Sequence, residues 1–478
     1  MKEFDDKNRV ARRTFLKTLG AGALASTAAL VGCTKPNKVD EEYDDAKAYT
    51  NKVPEGSKMT YRTNPHTGDK VSILGYGMMR LPNKPKETPD SPEEIDQEQV
   101  NRLVDFALEH GVNYFDTSPA YCRGGSEAAT GIALARHNRK DFFIATKLSN
   151  FAEQQWSFEE SVKMYHNSMK YLQTDYIDYL LLHAVGGSSS AGDGMATLRA
   201  RYIDNGVLDF LLKEREAGRI RNLGFSYHGD IEVFNYLLSQ NDKYHWDFVQ
   251  IQMNYVDWTH SKDINPRNTN GDYLYGELQK LGIPGVIMEP LLGGRLSHVP
   301  NHVVAKLKQR DPEASVASWA FRFAGSPEGI LTVLSGMTYM EHLQDNLRSF
   351  CPLKPLNDEE KEFLDDVAGL IAKYQTIQCN DCKYCMPCPY GLDIPAIFVH
   401  YNKCINEDNM PHSLQDPNYE RDRKIFLVGY DRSVPKLRQA SHCIGCNQCV
   451  SHCPQSIRIP QELRRIDEFV EKLKQNTL

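Results

Sequence analysis

Two short runs of cysteine near the carboxyl end are the residues best suited to chemistry in this chain. The first run contains Cys379, Cys382, Cys385 and Cys388, and the second contains Cys443, Cys446, Cys449 and Cys453. Each run ends in Cys-Pro, and together they hold eight of the twelve cysteines among 478 residues. Disulfides between such close neighbours would close small, strained loops, so they are disfavoured. Metal binding explains the runs better, and a Cys₄ zinc site is one form of it.

The spacing of the second run, CxxCxxCxxxCP, is typical of a bacterial ferredoxin [4Fe-4S] cluster. Zinc remains the alternative, although zinc does not require a third and fourth cysteine in each run. The sequence therefore predicts two [4Fe-4S] clusters. The first run is one residue shorter before its Cys-Pro, and a long segment with helix-like parts separates the runs. The region resembles a helical dicluster ferredoxin module.

The proline after each run predicts how the thiolates are shared. Proline fixes its own φ and favours an extended residue before it, so the chain should leave its loop at Cys388 and at Cys453. By the two-cluster ferredoxin precedent, Cys388 would ligate the cluster of the second run and Cys453 would complete the cluster of the first. The shortened first run leaves open the alternative that all four of its sulfurs hold one cluster.

The middle of the chain alternates strand-like and helix-like segments. Amphipathic stretches such as DQEQVNRLVDFALEHG repeat their apolar residues at helical spacing and end near glycine. The strand-like segments are ILGYGMM, VNYFDTS, DFFIATK, IDYLLLH, RNLGFSY, FVQIQMNY, PGVIMEP and ILTVLSGM. Eight βα units predict an α/β fold, a TIM (β/α)8 barrel, with MTYR and KVS forming a hairpin at its floor.

Four polar side chains fall at the carboxyl ends of these predicted strands, where TIM barrels place their chemistry. Asp116 ends the second strand, Lys147 the third and His183 the fourth, and Tyr121 follows at the same rim. A carbonyl reduced by hydride needs a proton, and a tyrosine with a pKa of about 10 is a poor acid until a cation lowers that pKa. We expect Lys147 to supply the charge, Asp116 to hold Lys147, and His183 to hydrogen-bond the substrate oxygen. Each residue taken alone is also compatible with a structural role.

The segments FDTSPAY, IATK and LLH, which contain these residues, resemble the Asp, Tyr, Lys and His tetrad of the aldo/keto reductases. The sequences GGSE at 124–127 and KEREAGRIRNLGFS at 213–226 also match that family. The resemblance covers residues 59–350, and with the cysteine runs the chain is similar to the iron-sulfur subgroup. It implies a barrel followed by a mainly helical ferredoxin-like 4Fe-4S domain, and a nicotinamide cofactor.

The resemblance also implies where the nicotinamide cofactor would be held. Ser226 and Gln250 would contact the carboxamide, EPLLGGRL would wrap the pyrophosphate, and SGMTYMEHLQDN would lie at the adenosine end. The residues assigned in the last two segments are Leu291, Gly293, Gly294, Gly336, Met337 and Asn346. Tyr227 stands where many relatives have asparagine, and Thr338 stands where NADPH-preferring relatives often have a basic residue. The choice between NAD and NADP therefore stays open.

The amino end has the features of an export signal. Arg12 and Arg13 precede FLK and an apolar run. The twin arginines resemble a Tat-type signal, and LVGC resembles a lipobox that would make its Cys33 lipid-anchored. An ordinary buried helix is the alternative. We expect the protein in the cell envelope or periplasm, anchored to the membrane through Cys33.

These features divide the chain into five parts. They are a Tat-type signal with lipobox (1–33), a linker (34–58), the barrel (59–355), a connecting helix (356–375) and the 4Fe-4S dicluster domain (376–478). A formal net charge of -7 without a long basic run argues against nucleic acid as a partner. No stretch reaches the roughly 18 apolar residues of a membrane-spanning helix.

Together the motifs predict an envelope-anchored oxidoreductase that interconverts a carbonyl and an alcohol by nicotinamide hydride transfer, with Tyr121 as the proton donor. The clusters would relay electrons with a redox partner protein. Two alternatives stay open. In one, the barrel binds a ligand without turnover while the cluster module carries electrons or docks a partner, and in the other the clusters are structural staples. An exported enzyme cannot draw on cytoplasmic nicotinamide, so the nucleotide leaves already bound or the barrel works without one.

Overall fold

The described part of the chain leaves out the amino end. The computed structural model describes Val53, residues 56–88, Ser91, and residues 93–187, 193–265, 267–374 and 376–478. The predicted signal and lipobox therefore lie outside the described residues, as does most of the predicted linker. Among the described helices, none is long and apolar enough to cross a membrane.

An antiparallel hairpin precedes the barrel. Its strands are β1 (Tyr61–Thr63) and β2 (Lys70–Ser72). The side chain of Asn64 in its turn donates hydrogen bonds to the hydroxyl of Tyr179 at 3.2 Å and to Oδ1 of Asn222 at 3.1 Å. Both partners lie near the amino ends of their barrel strands. The hairpin therefore covers the floor of the barrel.

Parallel strands close into a barrel, and this confirms the predicted fold class. The strands are β3 (Leu74–Gly77), β4 (Tyr114–Asp116), β5 (Phe143–Leu148), β6 (Ile177–Val185), β7 (Ile220–Tyr227), β8 (Phe248–Gln252), β9 (Gly285–Met288) and β10 (Ile330–Ser335). Each pairs with the next in sequence, and β10 closes the ring on β3, with Val333 opposite Leu74. The carboxyl ends of all strands therefore meet at one rim.

Aromatic and aliphatic side chains fill the barrel interior. The rings of Tyr114 and Tyr179 have centroids 5.0 Å apart, and those of Tyr179 and Phe248 are 5.1 Å apart. All three side chains are fully buried. The barrel interior is therefore a packed core, as in other TIM barrels, whose chemistry lies at the carboxyl rim.

Helices surround the barrel and build the carboxyl-terminal domain. They are α1 (Gln97–Glu109), α2 (Ser126–Leu134), α3 (Phe158–Leu172), α4 (Gly194–Leu198), α5 (Val207–Glu216), α6 (Ile231–Ser239), α7 (Asn241–Tyr244), α8 (Ser261–Ile264), α9 (Gly271–Leu281), α10 (Asn301–Arg310), α11 (Val316–Gly325), α12 (Met340–Phe350), α13 (Asp358–Ala372), α14 (Ile394–Asn406), α15 (Tyr419–Ser433) and α16 (Ile459–Gln475). Helix α1 shows why these helices form. Asp96 caps α1 by accepting from the backbone N–H of Gln99, and the buried residues of α1 recur at helical spacing.

The carboxyl-terminal domain has its own apolar core. Side chains of α14, α15 and α16 meet there, including Phe398, Phe426 and Ile466. Helix α13 instead packs on the barrel, where Leu364 and Trp319 belong to one apolar cluster. The first cysteine run lies in the irregular segment before α14, and the second lies between α15 and α16. Both runs are therefore held in loops next to this helical core.

Candidate active site and cysteine cavities

The four predicted catalytic residues meet at the carboxyl rim of the barrel. Asp116 ends β4, Lys147 lies in β5, His183 lies in β6, and Tyr121 begins a short turn after β4. The Lys147 ammonium donates to Oδ1 of Asp116 at 2.6 Å and to the carbonyl oxygen of Thr117 at 2.9 Å. Burial raises the pKa of Asp116 and lowers the pKa of Lys147, and the opposite charge of each partner offsets the shift of the other. The result is a buried ion pair fixed below the rim.

The ring of Tyr121 lies against this ion pair. Lys147 Nζ is 4.8 Å from the ring centroid. Burial raises the pKa of the Tyr121 hydroxyl well above its usual value, and Asp116, Tyr384 and Glu289 raise it further. The sequence led us to expect that Lys147 lowers this pKa. In the structure, burial is the largest effect on this pKa and raises it, so Tyr121 keeps its proton at neutral pH.

His183 is held beside Tyr121 as a neutral imidazole. Its Nδ1 is 2.6 Å from Oγ of Ser149, and that oxygen is 2.8 Å from Oγ of Ser118. The rings of His183 and Tyr121 meet edge to face with centroids 6.0 Å apart. Burial lowers the pKa of His183 well below its usual value, and the charge of Lys147 lowers it further. With Nδ1 engaged by the serine pair, Nε2 is the atom available to a substrate oxygen.

Sequence reasoning missed the residues that position His183. Arg201 donates to the carbonyl oxygen of His183 at 2.9 Å and to the hydroxyl of Tyr202 at 2.7 Å. The same hydroxyl accepts from the backbone N–H of His183 at 3.1 Å, and the ring of Phe151 lies 4.8 Å from the imidazole. No motif marks these residues, of which Arg201 and Tyr202 lie in a short π-helix, Arg199–Ile203. Ser149 could have been found from its position, because it lies just beyond the end of a predicted strand and therefore at the rim.

The residues expected at the nicotinamide carboxamide lie side by side. Ser226 on β7 is opposite Gln250 on β8, and its Oγ accepts from the backbone N–H of Ala184 at 2.8 Å. Gln250 is buried, and among the described residues its Oε1 has no hydrogen-bond partner. Its Nε2 reaches only the weak acceptor Sδ of Met288 at 3.4 Å. A buried acceptor left unpaired is costly, so this end of the predicted site fits the amide of a nicotinamide.

The residues expected at the adenosine end are held by other protein groups. The carbonyl oxygen of Met337 accepts from the hydroxyl of Tyr76 at 2.5 Å. Asn346 is buried and donates to a serine hydroxyl of β10 at 2.8 Å. A Cβ on Gly336 would lie 3.5 Å from Cδ of Arg80. Of these residues, Gly336 lies against Arg80, a cation that no motif marks.

The predicted pyrophosphate loop is covered by the first cysteine run. Gly293 and Gly294 have φ of 70° and 97°, conformations that favour glycine, and Leu291 precedes them and accepts from the backbone N–H of Gly294 at 2.9 Å. A Cβ on Gly293 would fall 1.9 Å from Cβ of Asn380, whereas nothing lies within 4 Å of one on Gly294. Asn380 also donates to Oε1 of Glu289 at 3.1 Å. The residue after the first cysteine thus fills the space against Gly293.

The barrel and the cysteine domain belong to one compact unit, Asn51–Leu478. Arg295 donates to Oγ1 of Thr376 at 2.7 Å and to Oε1 of Gln378. Further contacts join Lys383 to Glu93 at 3.2 Å, Asn265 to the carbonyl oxygen of Gln455 at 2.8 Å, and Asn406 to the carbonyl oxygen of His298 at 2.6 Å. The cysteine domain is therefore seated on the rim that carries the candidate active site.

One side chain of the first cysteine run reaches the mouth of the barrel. Tyr384 has its ring 6.4 Å from that of Phe151, which itself lies against His183. Burial raises the pKa of Tyr384, and Asp116 and Glu289 are among the charges that raise it further. Its ring therefore lies near the candidate active site. Nothing in the CKYC sequence indicated this role.

The cysteines of the two runs gather around two cavities. One cavity is lined by Cys385, Cys388, Cys443, Cys446 and Cys449. The other is lined by Cys379, Cys382, Cys385 and Cys453. The last cysteine of each run thus lies with the first cysteines of the other run. Among the described residues, no group of three or more His, Cys, Asp or Glu side chains is placed to hold a metal ion.

Comparison with known proteins assigns both halves of the described chain. The aldo/keto reductase family matches residues 73–368, and the 4Fe-4S dicluster domain matches residues 378–458. L-galactose dehydrogenase from Arabidopsis thaliana is 24% identical over 333 residues, which cover 66% of this chain and 95% of that protein. Protein tas from Escherichia coli (strain K12) is 27% identical over 203 residues, 37% of this chain and 55% of that protein. The structure of aldo-keto reductase AKR11C1 from Bacillus halodurans (holo form) shares the fold, with a TM-score of 0.50 and 22% identity over 65% of this chain and 96% of that one.

Proposed function

The chain belongs to the aldo/keto reductase family of oxidoreductases and carries a 4Fe-4S dicluster domain, and we propose that it interconverts a carbonyl and an alcohol at the barrel rim. The observation that carries this proposal is the buried ion pair of Asp116 and Lys147 against the ring of Tyr121, with a neutral His183 beside it. These groups supply what the reaction needs from a protein, which is a proton donor, a charge to stabilise the donor after it has reacted, and a hydrogen bond to the reacting oxygen.

The catalytic residues act in sequence around the substrate oxygen. Tyr121, protonated because its pKa is raised, gives its proton to the oxygen as negative charge develops there. Lys147, held by Asp116, then stabilises the tyrosinate. In this proposal Ser149 donates to Nδ1 of His183, which places the imidazole proton on Nε2, and Nε2 donates to the same oxygen and orients the carbonyl. In the oxidative direction the same groups return the proton to tyrosine.

A nicotinamide nucleotide is the proposed hydride carrier, NADP or NAD. Ser226 and Gln250 would hold its carboxamide, and the unpaired Oε1 of Gln250 supports this assignment. When bound, the nicotinamide supplies or accepts hydride at the carbonyl carbon. The loop at Gly293 would hold its pyrophosphate only if the segment at Asn380 were elsewhere.

Two [4Fe-4S] clusters are the proposed occupants of the two cysteine cavities. The grouping of Cys388 with the second run and of Cys453 with the first supports crossed ligation. The clusters, when present, would exchange single electrons with a redox partner protein. Cys446 and the neighbouring Ile444 are exposed, so the second run is accessible to such a partner.

The proposed location is the cell envelope, reached by a Tat-like route and kept by a lipid on Cys33. This proposal is supported by the twin arginines and the lipobox. Replacing both Arg12 and Arg13 with lysine is expected to stop export, because Tat recognition depends on the arginine pair. Fractionation of the host cell, with detection of the protein in cytoplasm and envelope, measures this. Arg9→Lys is the matched control, and unchanged export of the double variant would contradict the proposal.

The experiment that tests the proposed function is identification of the small molecules released when protein purified from its own envelope is denatured. Retained NADP(H) or NAD(H), together with turnover of carbonyl compounds by the native protein, supports the oxidoreductase with a nicotinamide carrier. A retained flavin would replace the nicotinamide in this scheme. Protein that releases neither and turns over no carbonyl or alcohol would favour the alternative, a ligand-binding barrel with an electron-transfer module.

A further inference from the structure

We propose that the first cysteine run and a dinucleotide compete for the loop at Gly293, so that the dinucleotide binds only after residues 378–381 have left it. This inference rests on the proposed nicotinamide carrier and concerns how the barrel is opened to it. The segment is part of the 4Fe-4S domain, so the arrangement makes access of the nucleotide depend on the position of that domain.

The first argument is steric. Gly293 takes a positive φ and has no side chain, which allows another group to approach its backbone closely. That group is Asn380, whose Cα lies 2.6 Å from the position of a Cβ on Gly293. A phosphate cannot share this space with the asparagine. The neighbouring Gly294 has open space around it, so the exclusion acts at one position of the loop.

The second argument is chemical. Two cations near the loop, Arg80 and Arg295, bond to the cysteine domain. Arg80 donates to the carbonyl oxygen of Asn380 and forms an ion pair with Asp381 at 3.6 Å. Arg295 donates to side chains at the start of the same segment. The carbonyl, amide and carboxylate oxygens of residues 378–381 thus occupy the donors that an anionic ligand would use.

A third argument concerns the buried carboxylate at the end of β9. Glu289 accepts from Nδ2 of Asn380, and its Oε2 has no partner in the described part of the chain. Burial raises the pKa of Glu289, and Arg80 and Asn380 act to lower it. The loop is therefore better matched to the amide of Asn380 than to a dinucleotide while the segment is seated.

The test substitutes residues of the segment 378–381, which weakens its contacts with the barrel, and leaves the barrel sequence unchanged. In the double variant Asn380→Ala and Asp381→Ala, the hydrogen bond to Glu289 and the ion pair with Arg80 are lost. A larger fraction of molecules should then have residues 378–381 displaced from the loop at Gly293. We expect the dissociation constants of NADPH or NADH, measured separately by titration calorimetry on protein with its clusters in place, to fall about tenfold, because apparent affinity scales with the competent fraction. In the wild type, dinucleotide should increase hydrogen exchange in residues 376–384.

The matched control lies between the second and third cysteines of the second run. Asn447→Ala with Gln448→Ala removes two polar side chains of a cysteine loop, and in the described chain neither side chain bonds to the loop at Gly293, so affinity should stay at the wild-type value. Wild-type protein that binds dinucleotide as tightly as the double variant, with exchange in residues 376–384 unchanged, would overturn the competition and leave the proposed function standing. Failure of every variant to bind either dinucleotide would overturn the competition and also remove the nicotinamide from the proposed function.

A second pair of variants tests the steric argument without any ligand. Gly293→Ala and Gly294→Ala impose similar backbone strain, because both residues have positive φ. Only the first places a methyl group against Asn380. Hydrogen exchange in residues 376–384 should therefore rise in Gly293→Ala and stay at the wild-type level in Gly294→Ala, with the visible absorbance of the clusters confirming that the domain is folded. Equal exchange in the two variants would contradict the proposed contact.

Discussion

Replacing Tyr121 with phenylalanine is expected to lower kcat for carbonyl reduction by about two to four orders of magnitude, the usual contribution of a general acid. The variant loses the proton given to the substrate oxygen but keeps the buried ring against Lys147. An interaction made only in the transition state should affect kcat far more than KM. Steady-state kinetics, with nucleotide affinity and iron content measured on the same sample, checks the result.

Tyr255→Phe is the matched control for this substitution. Tyr255 is 1% exposed, and its hydroxyl has no hydrogen-bond partner among the described residues. Removing that hydroxyl should leave turnover unchanged, because no charge or hydrogen bond at the rim depends on it. Wild-type kcat in the Tyr121 variant would remove this tyrosine from the mechanism. A change in KM with kcat at the wild-type value would point to a role in binding.

The barrel was predictable because its signals are local. Each strand is a short apolar run followed by an amphipathic stretch, and strand order follows sequence order. Once the strands are known, Asp116, Lys147 and His183 must gather at one rim, since parallel strands end on the same side. The position of the candidate catalytic residues therefore follows from the sequence even before their types are considered.

The remaining features depend on contacts between distant parts of the chain. Asn380 fills the space against Gly293, and Tyr384 reaches the mouth of the barrel, only because the cysteine domain docks on the rim. No periodicity or motif encodes that docking. The pKa of Tyr121 was also expected in the wrong direction, because a sequence shows the neighbouring Lys147 but not the depth of burial that opposes it.

Replacing Cys388 with alanine is expected to damage the cluster of the second run and spare the cluster of its own run. Cys388 shares a cavity with Cys443, Cys446 and Cys449, so its loss should leave that cluster with three cysteine ligands. Electron paramagnetic resonance of the reduced protein should then show the signal of one cluster altered or lost. Iron analysis should show a corresponding loss of metal.

The reciprocal variant makes the assignment specific. Cys453 lines the cavity of Cys379 and Cys382, so Cys453→Ala should damage the other signal. Cys404→Ala is the control, because Cys404 is a buried cysteine of the same domain that lines neither cavity. It should leave both signals intact.

The position of Cys388 supports the proposed crossed ligation. The first run is shorter than the second before its Cys-Pro, a feature that would allow all four of its sulfurs to hold one cluster with Cys388 beside Cys379. The chain instead carries Cys388 across to the second run, as the proline after it favours. Loss of the Cys379 cluster in Cys388→Ala, with the Cys443 cluster spared, would refute this arrangement and leave the assignment of two clusters in place.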